Sequence, residues 1–204
     1  MRVELQHSHV KYANSGEMMG YIYLYFGTGG GKTTNALGLA LRSVGHRRKV
    51  VIIQFMKWWK DTGEYKIKDR LKPYYEIYQF GRQGWIRFSE GDEEVHLGGM
   101  NLQVRNVEDY DRELAKKALE FAKKTMLEGK PHLLILDEIC LAAHLGLLSV
   151  GEVLDLLKQT PAETDVVMTG RYAPKEIIER ADFVNEIVDI KSPDRFVTTR
   201  GIQY

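Results

Sequence analysis

The sequence predicts an α/β fold, a mainly parallel sheet with helices on both faces. Three observations predict it. Apolar runs of strand length alternate along the chain with segments of helical period. Two of those runs, Lys49-Val-Val-Ile-Ile-Gln-Phe-Met56 and Pro131-His-Leu-Leu-Ile-Leu-Asp-Glu138, are continuously apolar at their centres, as strands buried on both faces are. The run Tyr21-Ile-Tyr-Leu-Tyr-Phe26 empties into Gly27-Thr-Gly-Gly-Gly-Lys-Thr-Thr34, a glycine-rich turn that opens a helix.

Residues 1–19 are polar and mixed, ending in Asn14-Ser15-Gly16, and are expected to form an N-terminal arm or lid; 20–204 are expected to form one domain. Tyr21–Phe26 is the first predicted strand. From Thr33 to about Val44, Ala36, Leu37, Leu39, Ala40 and Leu41 crowd a helix that Gly45 ends. Lys49–Met56 completes a βαβ unit. Lys57 to Leu71 is charged and loop-like, and Tyr74–Phe80, opened by Pro73 and rich in aromatics, reads as a third strand. Gly81 to Asn106 holds five glycines without a clear period and reads as a long loop, the kind that often covers or binds a ligand. Val107 to about Glu128 is amphipathic, with Leu114, Ala118, Phe121 and Ala122 on one face. Ser149-Val-Gly-Glu152 is a capping box that starts a helix reaching about Gln159. Asp165–Thr169 reads as a strand, Pro174–Ala181 as a helix and Val184–Ile190 as the last strand.

Composition narrows the function. A chain of 204 residues suffices for one α/β domain with a full core. With 29 basic against 28 acidic residues, bulk charge gives no support to a nucleic-acid partner. The single cysteine, Cys140, excludes an internal disulfide and fits a reducing cytoplasm. No apolar stretch approaches the roughly 20 residues of a membrane span, so no membrane partner is expected.

The glycine turn carries the chemistry. Glycines let successive amides point at a polyphosphate without obstruction, the helix that opens there adds its positive dipole end, Lys32 adds a mobile charge, and Thr33 offers a hydroxyl to Mg²⁺. The usual phosphate loop keeps four residues between its first glycine and the Gly-Lys pair; here three separate Gly27 from Gly31.

Two further groups fall at strand ends, where open α/β sheets bind ligands. Asp137-Glu138 reads as a metal-organising pair or as the N-cap of a following helix. Arg171, after Thr169-Gly170, reads as a phosphate or ribose contact or as a surface salt bridge, and Arg42 has the same two readings. Trp58, Trp59, Trp85 and Phe88 lie outside any core period; each is suited to covering a flat apolar ligand or to anchoring a loop.

In this order, Gly27-Thr-Gly-Gly-Gly-Lys-Thr-Thr-Asn-Ala-Leu-Gly38, Leu41-Arg-Ser-Val-Gly-His46, Val51-Ile-Ile-Gln-Phe-Met-Lys57, Leu134-Ile-Leu-Asp-Glu138, Val166-Val-Met-Thr-Gly-Arg171, Ala173-Pro174, Ala181-Asp182 and Gly201-Ile-Gln-Tyr204 resemble the P-loop type of ATP:cob(I)alamin (corrinoid) adenosyltransferase. The resemblance runs from about residue 20 to the end, is weak from 57 to 110, and implies a RecA-like P-loop nucleotide-binding fold. It implies transfer of the 5′-deoxyadenosyl group of ATP to the Co(I) of a reduced corrinoid, cobalamin or a precursor, with release of triphosphate. In this family ATP lies reversed in the loop and the enzymes are homodimers; a flavin-dependent reductase is the implied electron donor. Carried over, Lys32, the catalytic cation, and the loop amides of Gly27, Thr28, Gly29, Gly30, Gly31, Lys32, Thr33 and Thr34 hold the triphosphate, and Thr33 and Glu138 organise Mg²⁺; beside these, Arg42 and Arg171 are expected as further ATP contacts, Asp137 as a further metal-organising acid, and Trp85, alone or with Phe88 or Trp58, as the cover of the corrin. Two departures stand out. Gly30 occupies a position where several members carry a second Lys, and Gly84-Trp-Ile-Arg87 replaces the family's Gly-Phe-x-Trp. The competing expectations are a RecA-like ATPase that hydrolyses ATP and a non-catalytic nucleotide-binding module.

Overall fold

The computed structural model describes residues 20–87, 94–97, 100–193 and 199–204, with backbone alone for 94–97 and 100–103. The arm expected over 1–19 and the residue Phe88 lie outside the described residues.

The apolar runs become strands of one sheet. β1 (Ile22–Phe26), β2 (Val50–Phe55), β3 (Tyr75–Phe80), β7 (Leu133–Asp137), β8 (Asp165–Gly170) and β9 (Phe183–Glu186) pair in the order β3-β2-β7-β8-β1-β9, every pair parallel. Successive residues on each strand face opposite layers. Val51, Ile53, Leu134, Leu136, Val166, Met168, Ile22 and Leu24 join one core cluster; Val50, Ile52, Leu133, Ile135 and Val167 join the other. Both faces are therefore apolar, which is why these strands read as unbroken runs.

Helix α1 (Lys32–Gly45) covers the second cluster through Ala36 and Ala40. The first is covered by α3 (Asp109–Lys124), α4 (Ile139–His144), α5 (Val150–Leu157) and α6 (Lys175–Arg180), following the short α2 (Gly63–Lys66). The predicted capping box starts α5: the Ser149 hydroxyl accepts from the Glu152 amide at 3.2 Å, and the Ser149 amide donates to the Glu152 carboxylate at 2.7 Å. Helix α3 gives way to a π-helical turn over Thr125–Gly129 where the amphipathic pattern was expected to continue.

Within the stretch expected as a long loop lies a second small sheet. β4 (Trp85–Ile86), β5 (Glu94–Leu97) and β6 (Met100–Arg105) pair in the order β4-β6-β5, with β5 and β6 antiparallel. Val95 and Leu97 on β5, and Leu102 and Val104 on β6, supply a period of two that is too short to stand out among five glycines. Asp111 of α3 anchors this sheet. It takes two hydrogen bonds from Arg105 (2.6 and 2.8 Å) and two from Arg82 (both 3.1 Å), and is 4% exposed.

Candidate functional site

The polar groups of the large sheet gather at its carboxyl edge. β1 ends at Phe26 and the chain turns at once into the glycine loop. Gly27 has φ of +118°, and a Cβ there would lie 2.3 Å from the carbonyl oxygen of Ile187. Gly31, with φ of +101°, is the N-cap of α1. The loop leans on the segment that leaves β9: the Gly29 amide donates to the Ile187 carbonyl at 2.9 Å, and the Gly30 amide to Oδ1 of Asp189 at 3.0 Å. Strand β9 is thus shorter than the expected Val184–Ile190, because Ile187 and Asp189 hydrogen-bond to the loop.

Lys32 lies folded over the loop, 6% exposed, its ammonium donating to the Gly29 carbonyl at 2.5 Å. Burial lowers its pKa; the Glu138 carboxylate opposes that shift and the Arg171 guanidinium adds to it. Arg171 is therefore close enough to act on the loop lysine. Arg42 is not placed with the loop. It is ten residues along α1 from Lys32, about 15 Å of helical rise, and lines a surface depression with Ser43, His46, Arg48 and His132.

Asp137, the last residue of β7, is fully buried and saturated. Its Oδ1 accepts from the hydroxyls of Thr33 (2.8 Å) and Thr169 (2.7 Å), and its Oδ2 from Gln54 (3.0 Å) and the Lys57 ammonium (2.6 Å). Burial alone would raise its pKa, but the charge of Lys57 and these hydrogen bonds hold it below the usual range. Asp137 does not cap α4: Glu138 occupies the N-cap, with φ of +66° and no side-chain capping bond. Burial, and then the adjacent Asp137, push the Glu138 carboxyl up. Its Oε2 is buried without a hydrogen-bond partner among the described residues.

Thr33 and Glu138 offer oxygen donors only, the chemistry a hard divalent cation selects, while both oxygens of Asp137 are already engaged. The Glu138 Oε2 left without a hydrogen-bond partner among the described residues fits such an ion. Among the described residues no group of three or more His, Cys, Asp or Glu is placed to hold a metal ion.

Sequence reasoning passed over Lys57, Gln54 and Asp189 as site residues. Gln54 had a signal: a lone polar residue in an apolar strand. Lys57 follows Met56, whose φ of +61° turns the chain as β2 ends. Of the aromatics, Trp59 packs against the Tyr204 ring in a tilted arrangement, centroids 4.8 Å apart. Trp85 lies half-buried in β4.

The family model for ATP:corrinoid adenosyltransferase BtuR/CobO/CobP matches residues 18–204. The chain belongs to this family. It is a transferase, and ATP is its co-substrate. Among relatives, the corrinoid adenosyltransferase of Escherichia coli (strain K12) is 29% identical over 179 residues, 88% of this chain and 82% of the relative. That of a Sinorhizobium species is 32% identical over 177 residues, 86% of this chain and 75% of the relative. The crystal structure of the flagellar accessory protein FlaH from Methanocaldococcus jannaschii superposes with a TM-score of 0.51 at 14% identity, covering 85% of this chain and 73% of that one. That likeness bears on the fold alone, a RecA-like P-loop fold. No helix among the described residues is long and apolar enough to cross a membrane.

Proposed function

We propose that the chain transfers the 5′-deoxyadenosyl group of ATP to the cobalt of a reduced corrinoid from the cradle formed by Gly27–Thr34. Family membership over residues 18–204, with that cradle intact, carries the reading. Co(I) supplies the electron pair for the new cobalt–carbon bond at C5′. The C5′–oxygen bond breaks, and its pair leaves on triphosphate. The nucleophile comes with the substrate, so the protein's task is to hold and stabilise the departing charge.

The residues suit that task. The loop amides other than those of Gly29 and Gly30, which donate to Ile187 and Asp189, and the start of α1 present positive partial charge to an anionic tail. Lys32, short of solvent and with its pKa lowered, is a desolvated cation whose attraction for a developing anion is stronger than it would be in water. Glu138 and Thr33 would hold Mg²⁺, which when bound neutralises charge on the leaving group. Arg171 adds a cation near Glu138. The corrinoid side is assigned to Trp85, with Phe88 as the second aromatic of that segment. The same proposal includes a homodimer working in the cytoplasm and an external flavin-dependent reductase that delivers Co(I).

The test is anaerobic incubation with ATP, Mg²⁺ and chemically reduced cobalamin, followed by the visible spectrum. A light-sensitive adenosyl product with release of triphosphate is expected. Inorganic phosphate formed without corrinoid, and no new cobalt compound with it, would overturn the proposal in favour of hydrolysis.

A further inference from the structure

The acid–threonine pair at which P-loop sites gather a divalent metal already holds a cation of the protein's own. The Lys57 ammonium lies 2.6 Å from Asp137 Oδ2 and 3.4 Å from Thr33 Oγ1. Its side chain is 30% exposed, so it opens onto the site rather than being sealed in the core. A structural account of Lys57 as a neutralising partner for Asp137 explains the first contact but leaves two features unexplained. Asp137 already has three neutral donors, Thr33, Thr169 and Gln54, spread over both oxygens. An ammonium has three N–H groups, and among the described residues Lys57 spends one on Asp137 and a second, weakly, on Thr33.

A metal ion bound directly to Asp137 Oδ2 would have to share that oxygen with an ammonium, two cations at one acceptor. The acid left open is Glu138, whose Oε2 has no partner among the described residues. The two adjacent carboxylates thus divide between two cations.

We propose that Lys57 is a resident cation at the metal locus, contacting the triphosphate tail directly, while Mg²⁺ is held through Glu138 and leaves the Lys57–Asp137 pair unbroken. The site then holds a triphosphate in the absence of a divalent ion, and the metal strengthens that grip without creating it. Asp137 becomes a positioning residue that fixes the ammonium beside Thr33. This inference rests on the reading of Gly27–Thr34 as a triphosphate cradle.

The experiment is equilibrium binding of inorganic triphosphate to the full chain by calorimetry, in EDTA and in saturating Mg²⁺, which needs no corrinoid and no turnover. Wild type is expected to bind in both conditions. One charge-assisted contact is worth a factor of about ten or more in affinity, so Lys57→Met should lose about that factor in EDTA while still being strengthened by Mg²⁺. Glu138→Gln removes a negative charge that acts on Lys32 and Lys57 and should bind in EDTA at least as tightly as wild type, but lose the enhancement by Mg²⁺. Lys57→Arg keeps the charge and should keep metal-free binding, which separates loss of the cation from a folding defect in Lys57→Met. Unchanged metal-free binding in a folded Lys57→Met, or the two patterns exchanged between Lys57→Met and Glu138→Gln, overturns the inference and leaves the cradle standing. A wild type that binds triphosphate in neither condition overturns both.

Discussion

Thr169 and Asp137 are joined at the centre of the site: the Thr169 hydroxyl donates to Asp137 Oδ1 at 2.7 Å and accepts from the Glu138 amide at 2.9 Å. One fully buried hydroxyl from β8 thereby sets the orientation of one acid and the backbone of the next.

Thr169→Val keeps the shape and removes both bonds. Leaving a buried amide and a carboxylate oxygen short of a partner should cost about 1–3 kcal/mol in urea unfolding, and more Mg²⁺ should be needed for half-maximal turnover. Thr169→Ser restores the hydroxyl and should recover both. Wild-type stability and metal requirement in Thr169→Val would show that the hydroxyl orients nothing.

Lys32→Ala removes the desolvated cation of the cradle without touching the apolar core. Loss of one preorganised charge contact commonly lowers turnover by about 10²–10³-fold. The same drop is expected here in the anaerobic cobalamin assay, with an unchanged circular dichroism spectrum. Near-normal activity removes Lys32 from the mechanism.

The loop glycines are not equivalent. A methyl group at Gly27 meets the Ile187 carbonyl at 2.3 Å on a backbone with φ of +118°, whereas at Gly30 its nearest neighbour is Asp189 Oδ1 at 3.9 Å. Gly27→Ala should destabilise by about 1–3 kcal/mol from backbone strain and crowding and weaken triphosphate binding. Gly30→Ala should be close to neutral in both measurements. Equal effects from the two substitutions would contradict this placement of the loop.

Asp111 gives the fold an acid-sensitive anchor. Burial alone would raise its carboxyl, but hydrogen bonds from Arg105 and Arg82 outweigh that and hold it well below the usual range. A folded pKa below the unfolded value of about 3.9 stabilises the protein above that pH. The contribution is lost as the pH falls from about 4 towards the folded value. Asp111→Asn should therefore cost about 3 kcal/mol at neutral pH, and the gap to wild type should narrow in unfolding curves taken at successively lower pH. A gap that stays constant from neutral pH down to about pH 2 would exclude the ion pair as its source.

Particular residues show what kind of information the sequence held. The runs Val50–Phe55 and Leu133–Asp137 were legible because a strand covered on both faces has no polar side to present. Gly27–Thr34 was legible because a phosphate cradle is built from consecutive backbone groups, so its whole requirement is written in one short stretch. The small sheet β4-β6-β5 was missed because strands this short carry too few alternations to be told from loop.

By itself the sequence determined the layered α/β architecture, the cradle and the family, since each is specified by local pattern. Only the tertiary structure decided how the charges of the site are shared. Lys57 meets Asp137 across 80 positions and Asp189 meets the Gly30 amide across 159. Such pairings depend on which parallel strands lie side by side and in what register. The hydrophobic period along any one segment carries no information about them.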